Sequence, residues 1–387
     1  MYWLNENSRK FLAKGYLVGN MTAEERIREI AEMAEKHLNK PGFADKFYDY
    51  MSKGFYSLST PIWANYGHPR GLPISCFGSY VDDDMSRILY THAEVGMMTK
   101  YGGGTSVCLG GLRPRGSIIK DNGHSSGSVH FLELFDGLIN IVSQGTVRRG
   151  HCAPYLPVEH GDIEEFLNIG KEGHPIQEST YAITVGDEWL KSMIDGDQEK
   201  RKIWAKIIQR RTEIGYPYIL FSDTINNNTV DVYKDKKMRI HGSNLCSEIA
   251  LPSADDISFV CCLSSINLRH YNEWKDTDAV ETLAIFLDTV ISDFIKRLES
   301  FRDSSDPHKN SAFYFMQRAY KFAKEHRALG VGVLGWHTFL QENNIPFESP
   351  EAMRLNEEIF KTIKEKAYKA SEDMAKEYGE PEVLKGY

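Results

Sequence analysis

The stretch Ser243-Asn244-Leu245-Cys246-Ser247-Glu248-Ile249 places an amide, a thiol and a carboxylate at alternate positions. On an α-helix, steps of two residues would scatter these three side chains around the axis. On extended backbone, alternate residues share one face, so Asn244, Cys246 and Glu248 would point at the same small volume. We therefore expect an extended segment that sets a thiol between a hydrogen-bonding amide and a potential base. A buried structural cysteine in a chance polar context is the alternative, and the heptapeptide alone leaves both open.

The composition is that of an ordinary globular protein, with 387 residues, 41% hydrophobic and 26% charged, and a net charge of −8. No run of Lys or Arg is long enough to indicate nucleic-acid binding. The apolar runs are too short to span a bilayer, and the N-terminus lacks the features of a signal peptide. We therefore expect a cytoplasmic protein that contacts neither a membrane nor DNA or RNA.

Cysteine spacing argues against a metal site. The six cysteines are Cys76, Cys108, Cys152, Cys246, Cys261 and Cys262. They include no C-x-x-C pair and no zinc-type spacing with histidine. A chain of this length has a sufficient core without structural disulfides, so these thiols are of interest for their chemistry.

The pattern of helices and strands changes at about residue 55. Residues 1–55 read as a helical domain, with a capping box at Thr22 and Glu25. From residue 56 to 387, strands alternate with helices, which favours an α/β fold with mostly parallel strands. The predicted strands are 72–81, 106–109, 216–221, 260–268 and a buried, glycine-punctuated strand at 328–335. The predicted helices include 86–100, 130–141, 187–194, 200–212, 278–298 and 350–378, and residues 226–228 read as a loop.

Five motifs, taken in chain order, resemble the large subunit of class I ribonucleotide reductase. They are Ser59-Thr60-Pro61 with Ser75-Cys76, then residues 144–150, 243–252, 261–268 and 327–333. Residues 243–252 resemble the finger loop of that family, and residues 243–249 are called the finger loop below. The resemblance covers the whole chain. It implies a helical cap followed by the first half of a ten-stranded α/β barrel that carries the finger loop.

The resemblance implies radical-based reduction of ribonucleoside diphosphates to deoxyribonucleotides for DNA synthesis. Cys246 resembles the cysteine that carries the thiyl radical, and a thiol suits this role because its S–H bond exchanges almost reversibly with a ribose C–H bond. Glu248 resembles the base that takes the 3′-hydroxyl proton. Asn244 resembles the amide that binds the substrate hydroxyls. These three residues, with Thr60 and Ser75, would contact the substrate.

The same resemblance assigns the other cysteines. Cys76 and Cys261 resemble the redox-active pair that supplies the reducing electrons and ends each turnover as a disulfide. Cys262 is an alternative partner for Cys76, although the spacing to Leu263 favours Cys261. Cys108 and Cys152 match no role, so we expect buried structural thiols.

An allosteric site is also implied, in which a deoxynucleotide or ATP effector binds with Mg²⁺. The residues that resemble effector contacts are Asp83, Arg113, Arg115, Ser117 and Arg148. Arg148 resembles the residue that links the effector to the substrate. For Asp83, a plain turn between a strand and a helix is the alternative.

The expected partners follow from the family. They are a small subunit whose metal centre supplies the radical, a thioredoxin- or glutaredoxin-type reductant and a second copy of the large subunit. No covalently bound cofactor is expected. The barrel of the family is not complete at Tyr387, and no ATP-binding cone precedes Trp3. We therefore expect a split large subunit whose C-terminal half is a separate polypeptide, and no activity without that half.

Two other functions stay open. One is a catalytically silent fragment that binds effector nucleotide or dimerises. The other is a class II, cobalamin-dependent reductase. The finger loop of class II enzymes resembles the sequence N-P-C-G-E. Here Leu245 and Ser247 stand in place of its proline and glycine.

Overall fold

The computed structural model describes residues 1–177 and 179–387. The helices are α1 (Glu6–Ala13), α2 (Ala23–Leu38), α3 (Phe43–Ser52), α4 (Thr60–Asn65), α5 (Met85–Lys100), α6 (Ser128–Ile141), α7 (Ile163–Phe166), α8 (Asp187–Ile194), α9 (Gln198–Ile214), α10 (Ser222–Asn227), α11 (Asp231–Asp235), α12 (Tyr271–Trp274), α13 (Ala279–Arg302), α14 (Pro307–Tyr314), α15 (Gln317–His326), α16 (Trp336–Glu342) and α17 (Pro350–Tyr378). The strands are β1 (Tyr56–Leu58), β2 (Cys76–Tyr80), β3 (Gly104–Cys108), β4 (Ile118–Ile119), β5 (Gly123–His124), β6 (Cys152–Pro157), β7 (Ala182–Val185), β8 (Tyr218–Phe221), β9 (Phe259–Asn267) and β10 (Leu329–Leu334). None of the helices in these described ranges is both long and apolar enough to cross a membrane.

Local sequence signals explain where several helices begin. Thr22 forms the predicted capping box with Glu25, because its hydroxyl accepts the Glu25 N–H and its own N–H donates to the Glu25 carboxylate. Helix α17 starts with Pro350, and the Ser349 hydroxyl accepts the Ala352 N–H at 3.1 Å. The predicted starts of these helices are confirmed.

One compact unit contains residues 76–260 and 301–322, together with Tyr387. Its sheet has the strand order β2-β3-β6-β7-β8, and each neighbouring pair is parallel. Cys76 lies opposite Gly104, and Ala182 lies opposite both Tyr155 and Tyr218. The predicted parallel α/β arrangement is confirmed for this unit.

The two faces of this sheet are both buried, as is usual for parallel strands. Cys152 and Leu156 belong to the larger apolar cluster, which includes residues of helices α5, α6 and α9. Cys108 and Tyr155 belong to a smaller cluster, and Leu245 of the finger loop packs against it. The predicted burial of Cys108 and Cys152 is confirmed, and burial raises the pKa of these thiols to about 11 and about 12.

Close packing against β2 requires glycine. A Cβ at Gly78 would lie 2.0 Å from the ring of Phe259, and a Cβ at Gly103 would lie 2.3 Å from the ring of Phe77. Both distances are far below van der Waals contact. These rings can therefore lie directly on the backbone only because no side chain intervenes.

The prediction of a loop at residues 226–228 is wrong, because Asn226 and Asn227 close helix α10. The Asn226 amide donates to the carbonyls of Ser222 and Ile240, and its oxygen accepts the Ile240 N–H at 2.9 Å. These tertiary hydrogen bonds hold an asparagine in a helix that its own propensity disfavours.

The other compact unit contains residues 1–75, 261–300 and 323–386. Within it, β9 from Cys261 onward pairs antiparallel with β1 and parallel with β10. Strand β10 is half-buried rather than buried as predicted, since in this unit it pairs with β9 along one edge. The predicted domain boundary at residue 55 stays a prediction.

The buried guanidinium of Arg26 secures helix α4 in this unit. It donates to the carbonyls of Trp63, Ile62 and Tyr66 at 2.8, 3.1 and 2.7 Å. Carbonyls at the C-terminal end of a helix have no partner within the helix, so Arg26 supplies the missing donors.

Candidate active site

The finger loop is a tight turn, and the predicted extended backbone is wrong. The Ser247 N–H donates to the Asn244 carbonyl at 3.2 Å, and Ser247 has a φ of +72°. The Asn244 side-chain oxygen accepts the N–H groups of Glu248 and Ile249 at 3.1 and 3.2 Å. An asparagine amide that binds backbone N–H groups further along the chain favours a turn over a strand. Cys246 therefore sits at the tip of the turn.

A serine hydroxyl closes the base of this turn. The buried Ser243 hydroxyl donates to the Ile249 carbonyl at 2.6 Å and accepts the Ile249 N–H at 3.0 Å. Both backbone groups of Ile249 are therefore satisfied by one side chain. The two ends of the finger loop are held together without a strand partner.

Tyr155 supports the turn from the sheet below it. Its hydroxyl donates to the Asn244 carbonyl at 2.6 Å, and a Cβ at Gly242 would lie 2.9 Å from its ring. Burial raises the pKa of Tyr155 to about 12, so the phenol stays a hydrogen-bond donor at neutral pH.

Cys246 is exposed, whereas the other five cysteines are buried. Partial burial and the Glu248 carboxylate raise the pKa of the Cys246 thiol, and the positive charge of Arg148 lowers it. The net direction is upward, so Cys246 is a protonated thiol at neutral pH. This differs from a nucleophilic cysteine, whose pKa is lowered to favour the thiolate, and it suits exchange of a hydrogen atom.

The loop at residues 143–150 brings Arg148 close enough to act on Cys246. The Gln144 N–H donates to the Arg148 carbonyl at 3.0 Å, and the Val147 N–H donates to the Gln144 carbonyl at 2.9 Å. Nη1 of Arg148 is buried and has no hydrogen-bond partner among the described residues. A buried N–H group without a partner is costly, so this guanidinium is positioned to receive an acceptor.

Cys76 belongs to the same site. Its sulfur is buried, and the Asn244 amide nitrogen donates to it at 3.4 Å. The side chain of Asn244 thus orders the turn with its oxygen and contacts Cys76 with its nitrogen. Five sequence-predicted residues are brought together here: Asn244, Cys246, Glu248, Cys76 and Arg148.

Cys261 lies in the other compact unit, where it is buried at the start of the β9 segment. A Cβ at Gly330 would come within 3.2 Å of the Cys261 sulfur, so glycine in β10 leaves room for this thiol. The neighbouring Cys262 is fully buried, and burial raises its pKa well above the usual range. The pairing of Cys76 with Cys261 stays a prediction.

The candidate substrate contacts Thr60 and Ser75 also lie in that unit. Thr60 is the first residue of α4, and its hydroxyl shares a hydrogen bond of 3.1 Å with the Tyr16 hydroxyl. The buried hydroxyls of Ser59 and Ser75 have no hydrogen-bond partner in the described part of the chain. Two hydroxyls are thus available to a polar ligand, and the substrate role of Thr60 and Ser75 stays a prediction.

The candidate effector residues form ion pairs. Arg113 donates to the Asp83 carboxylate at 2.6 Å through Nε. Arg115 donates to the Glu165 carboxylate at 3.0 and 2.7 Å, and its N–H donates to Asp162 at 2.8 Å. The structure therefore joins Asp83 with Arg113 and places Arg115 in a separate pair.

Ser117 lies just before the β4-β5 hairpin. Its carbonyl accepts the Ser125 N–H at 2.8 Å, which ties the segment between Pro114 and Ser117 to the end of the hairpin. Within residues 1–177 and 179–387, no group of three or more His, Cys, Asp or Glu side chains is arranged to hold a metal ion.

Comparison with known proteins places this geometry in a family. The family "Ribonucleotide reductase, all-alpha domain" matches residues 2–71, and "Ribonucleotide reductase, barrel domain" matches residues 74–200 and 196–386. The chain belongs to the ribonucleotide reductase family. The predicted family and fold class are thereby confirmed, with a helical N-terminal part followed by barrel sequence.

Individual relatives agree with this assignment. The putative ribonucleoside-diphosphate reductase large subunit of Frog virus 3 (isolate Goorha) is 35% identical over 375 residues, which cover 92% of this chain and 63% of the relative. The ribonucleoside-diphosphate reductase large subunit of Arabidopsis thaliana is 29% identical over 391 residues, 88% of this chain and 48% of the relative. The chain spans about half to two thirds of the length of these curated ribonucleotide reductases.

A solved ribonucleotide reductase structure matches the full chain. The Actinobacillus ureae class Id ribonucleotide reductase alpha subunit has a TM-score of 0.92 and 55% sequence identity. The match covers 100% of this chain and 70% of that one.

Sequence reasoning missed two residues that build the finger-loop turn and its support. Ser243 lies in the finger loop, but its role depends on a turn that an extended backbone would not form. Tyr155 lies on β6, which no alternating pattern revealed because both faces of this strand are buried. A polar ring in an apolar run was the available signal for Tyr155.

Proposed function

We propose that this chain takes part in the radical-based reduction of ribonucleoside diphosphates to deoxyribonucleotides. The observation that carries the proposal is the finger-loop turn. It presents the protonated, exposed thiol of Cys246 beside the charges of Glu248 and Arg148, and its Asn244 amide contacts Cys76. A thiol, a base and a second thiol around one exposed position are the groups that this reaction needs.

The proposed reaction begins at the substrate ribose. The Cys246 sulfur radical takes the hydrogen atom from C3′, while Glu248 accepts the proton of the 3′-hydroxyl. Asn244 holds the hydroxyls in place. Water then leaves from C2′, Cys76 and Cys261 supply two electrons and two protons, and an S–S bond forms between them. Cys246 finally returns its hydrogen atom to C3′, and Glu248 returns the proton to the 3′-oxygen.

Thr60 and Ser75 are the proposed contacts to the substrate phosphate and ribose. The support is chemical, because the Ser75 hydroxyl is buried without a described partner and Thr60 begins helix α4. A hydrogen-bonded substrate would satisfy a hydroxyl whose burial is otherwise unfavourable.

Effector binding is proposed at Asp83, Arg113, Arg115, Ser117 and Arg148, with a deoxynucleotide or ATP and Mg²⁺. The pairs of Arg113 with Asp83 and of Arg115 with Glu165 are about one-third to one-half exposed. Such pairs contribute about 0–1 kcal/mol, so a phosphate can replace the carboxylate at little cost. Guanidinium groups bind phosphate in a bidentate manner.

The proposed partners are a small subunit whose metal centre generates the radical, a thioredoxin- or glutaredoxin-type reductant and a second copy of this chain. The relatives extend beyond the region that matches this chain, and the proposed reaction also needs the part of the barrel that lies there. A cytoplasmic location is proposed, since the reaction consumes reduced cysteines and that compartment keeps thiols reduced.

Reconstitution tests this function. The chain is mixed with a polypeptide that covers the rest of the barrel and with a radical-generating small subunit, and deoxynucleotide formation is measured. Cys246→Ser should abolish turnover and leave effector binding intact. Cys108→Ser is the matched control, because Cys108 is a buried thiol in the same unit and has no role in the proposed reaction. Turnover by Cys246→Ser would refute the proposal, and turnover that requires adenosylcobalamin instead of the small subunit would support class II chemistry.

A further inference from the structure

Glu94 is a fully buried carboxylate near the middle of helix α5, and the proposed reaction does not use it. Its Oε2 accepts two hydroxyl hydrogen bonds, from Ser79 at 3.0 Å and from Ser258 at 2.9 Å. Ser79 lies on β2, three residues after Cys76, and Ser258 lies three residues before Cys261 in the chain. One carboxylate oxygen therefore binds the two segments that lead to the cysteines of the proposed redox pair.

A second contact fixes the same two segments against each other. The ring of Phe259 lies on the backbone of β2 at Gly78, where a Cβ would be 2.0 Å away. Neighbouring residues of one segment, 258 and 259, thus meet neighbouring residues of the other, 78 and 79. The hydrogen bonds to Glu94 and the ring contact specify one register between these segments.

The surroundings of Glu94 contain one positive charge and one phenol. Arg318 acts on Glu94 electrostatically, and its guanidinium donates to the Thr91 hydroxyl at 3.2 Å and lies 4.3 Å from the ring centre of Tyr90. Oε1 of Glu94 and Nη2 of Arg318 are both buried without a hydrogen-bond partner among the described residues. Burying polar atoms without hydrogen-bond partners is unfavourable, and apolar side chains in place of Glu94 and Arg318 would avoid this cost. Stability alone therefore does not explain why these two residues are present.

We infer that Glu94 is a positioning residue for the redox cysteines, because its Oε2 holds strand β2 and the segment that enters Cys261 in one register. The inference rests on the proposed function, in which Cys76 and Cys261 form a disulfide. Glu94 touches no reacting atom and acts through the hydroxyls of Ser79 and Ser258. Another side chain that accepts hydrogen bonds from both hydroxyls should be able to take over the role of Glu94, whether or not it is charged.

Disulfide formation in the purified chain tests this role. The chain is oxidised with diamide, which takes two electrons and two protons from a pair of thiols as the S–S bond forms. Mass spectrometry of digested samples then follows the Cys76–Cys261 disulfide over time. Glu94→Leu should slow its formation about tenfold or more, whereas Glu94→Gln, which keeps an acceptor oxygen, should stay within about threefold of the wild type.

Two further variants separate positioning from stability. Ser79→Ala removes one of the two hydroxyls and should slow disulfide formation less than Glu94→Leu does. Val95→Ala leaves a cavity at the buried position next to Glu94 on the same helix and keeps Glu94 and both serines, so it should lower stability without a comparable loss of rate.

Each outcome has a distinct meaning. Equal slowing by Glu94→Leu and Val95→Ala, or a wild-type rate in Glu94→Leu, would overturn the positioning role while leaving the redox pair in place. A wild-type chain that forms no Cys76–Cys261 disulfide would instead overturn the pairing in the proposed function, and this inference with it.

Discussion

Replacing Glu94 with Gln should remove the pH dependence that this carboxyl group gives to stability. Burial raises the pKa of Glu94 from 4.5 to about 7, against the opposing effects of Arg318, Ser258 and Ser79. Each pKa unit corresponds to about 1.4 kcal/mol. The difference in the pKa of Glu94 between the folded and unfolded chains therefore corresponds to about 3 kcal/mol in the free energy of unfolding. The group is fully buried, so solvent screening does not reduce this figure appreciably.

The sign follows from which state holds the proton. Below pH 4.5, Glu94 is protonated in both the folded and the unfolded chain, and its burial carries no charge penalty. As the pH rises from 4.5 to 7, the unfolded chain ionises while the folded chain keeps the proton. The contribution of Glu94 to the free energy of unfolding therefore falls by about 3 kcal/mol over this window and is constant above it. Glu94→Gln has no such titration.

Urea unfolding of both proteins at several pH values between 4.5 and 8 measures the effect. The stability of Glu94→Gln relative to the wild type should rise by about 3 kcal/mol across this range, because the other titrating groups cancel in the difference. The attraction between ionised Glu94 and Arg318 is already included in the pKa of about 7, so it adds no separate change to this difference. Val95→Ala serves as a control whose deficit should be constant. A difference between Glu94→Gln and the wild type that is flat, or that falls as the pH rises, would refute the raised pKa.

Three further predictions concern the site and its packing. Tyr155→Phe removes the hydroxyl that donates to the finger-loop carbonyl at 2.6 Å, and should cost about 1–3 kcal/mol in chemical denaturation. Tyr368→Phe, which removes the hydroxyl of an exposed tyrosine, should cost less, and equal costs would contradict the reasoning. Gly78→Ala drives a Cβ into an aromatic ring and should lower the melting temperature markedly, while Gly137→Ala, whose Cβ meets nothing within 4 Å in helix α6, should raise it or leave it unchanged. In the native chain, Cys246 should react with iodoacetamide before the other five cysteines, because it is exposed and they are buried. Mass spectrometry identifies the first labelled peptide. If a buried cysteine is labelled first, the result would count against the structure of the turn.

The elements with clear end signals could be predicted from the sequence. Helix α2 begins at its capping box and α17 begins at Ser349-Pro350, because these residues satisfy or omit the N–H groups that a helix start exposes. Strands β6 and β7 could not be predicted in the same way. Both of their faces are buried, so they show no alternation, and each is only a few residues long.

The finger loop shows how a correct grouping of residues can come from a wrong conformation. Counting side-chain directions along a strand predicted that Asn244, Cys246 and Glu248 act together. The structure brings them together with Arg148 and Cys76 through a turn, since the Asn244 oxygen binds two backbone N–H groups. The periodicity of a strand predicts only the direction in which each side chain points. It does not account for a side chain, such as that of Asn244, which hydrogen-bonds to backbone groups and thereby favours a turn.

Contacts between residues that are far apart in the sequence could not be predicted. Glu94 and Ser258 are 164 positions apart, and Tyr155 and Asn244 are 89 apart. A lone polar residue in an apolar helix or strand has no pattern that names its partner. Their roles become visible only when the fold brings the partners within hydrogen-bond distance.

Asn244 has a consequence for how this protein can diverge. Its oxygen shapes the turn that presents Cys246, and its nitrogen donates to the Cys76 sulfur. Aspartate would retain the acceptor but lose the donor, and glutamine would carry both groups on a longer stem. No single exchange at position 244 preserves both contacts, so two parts of the site must change together or not at all. Any substitution of Asn244 therefore alters the surroundings of both Cys246 and Cys76.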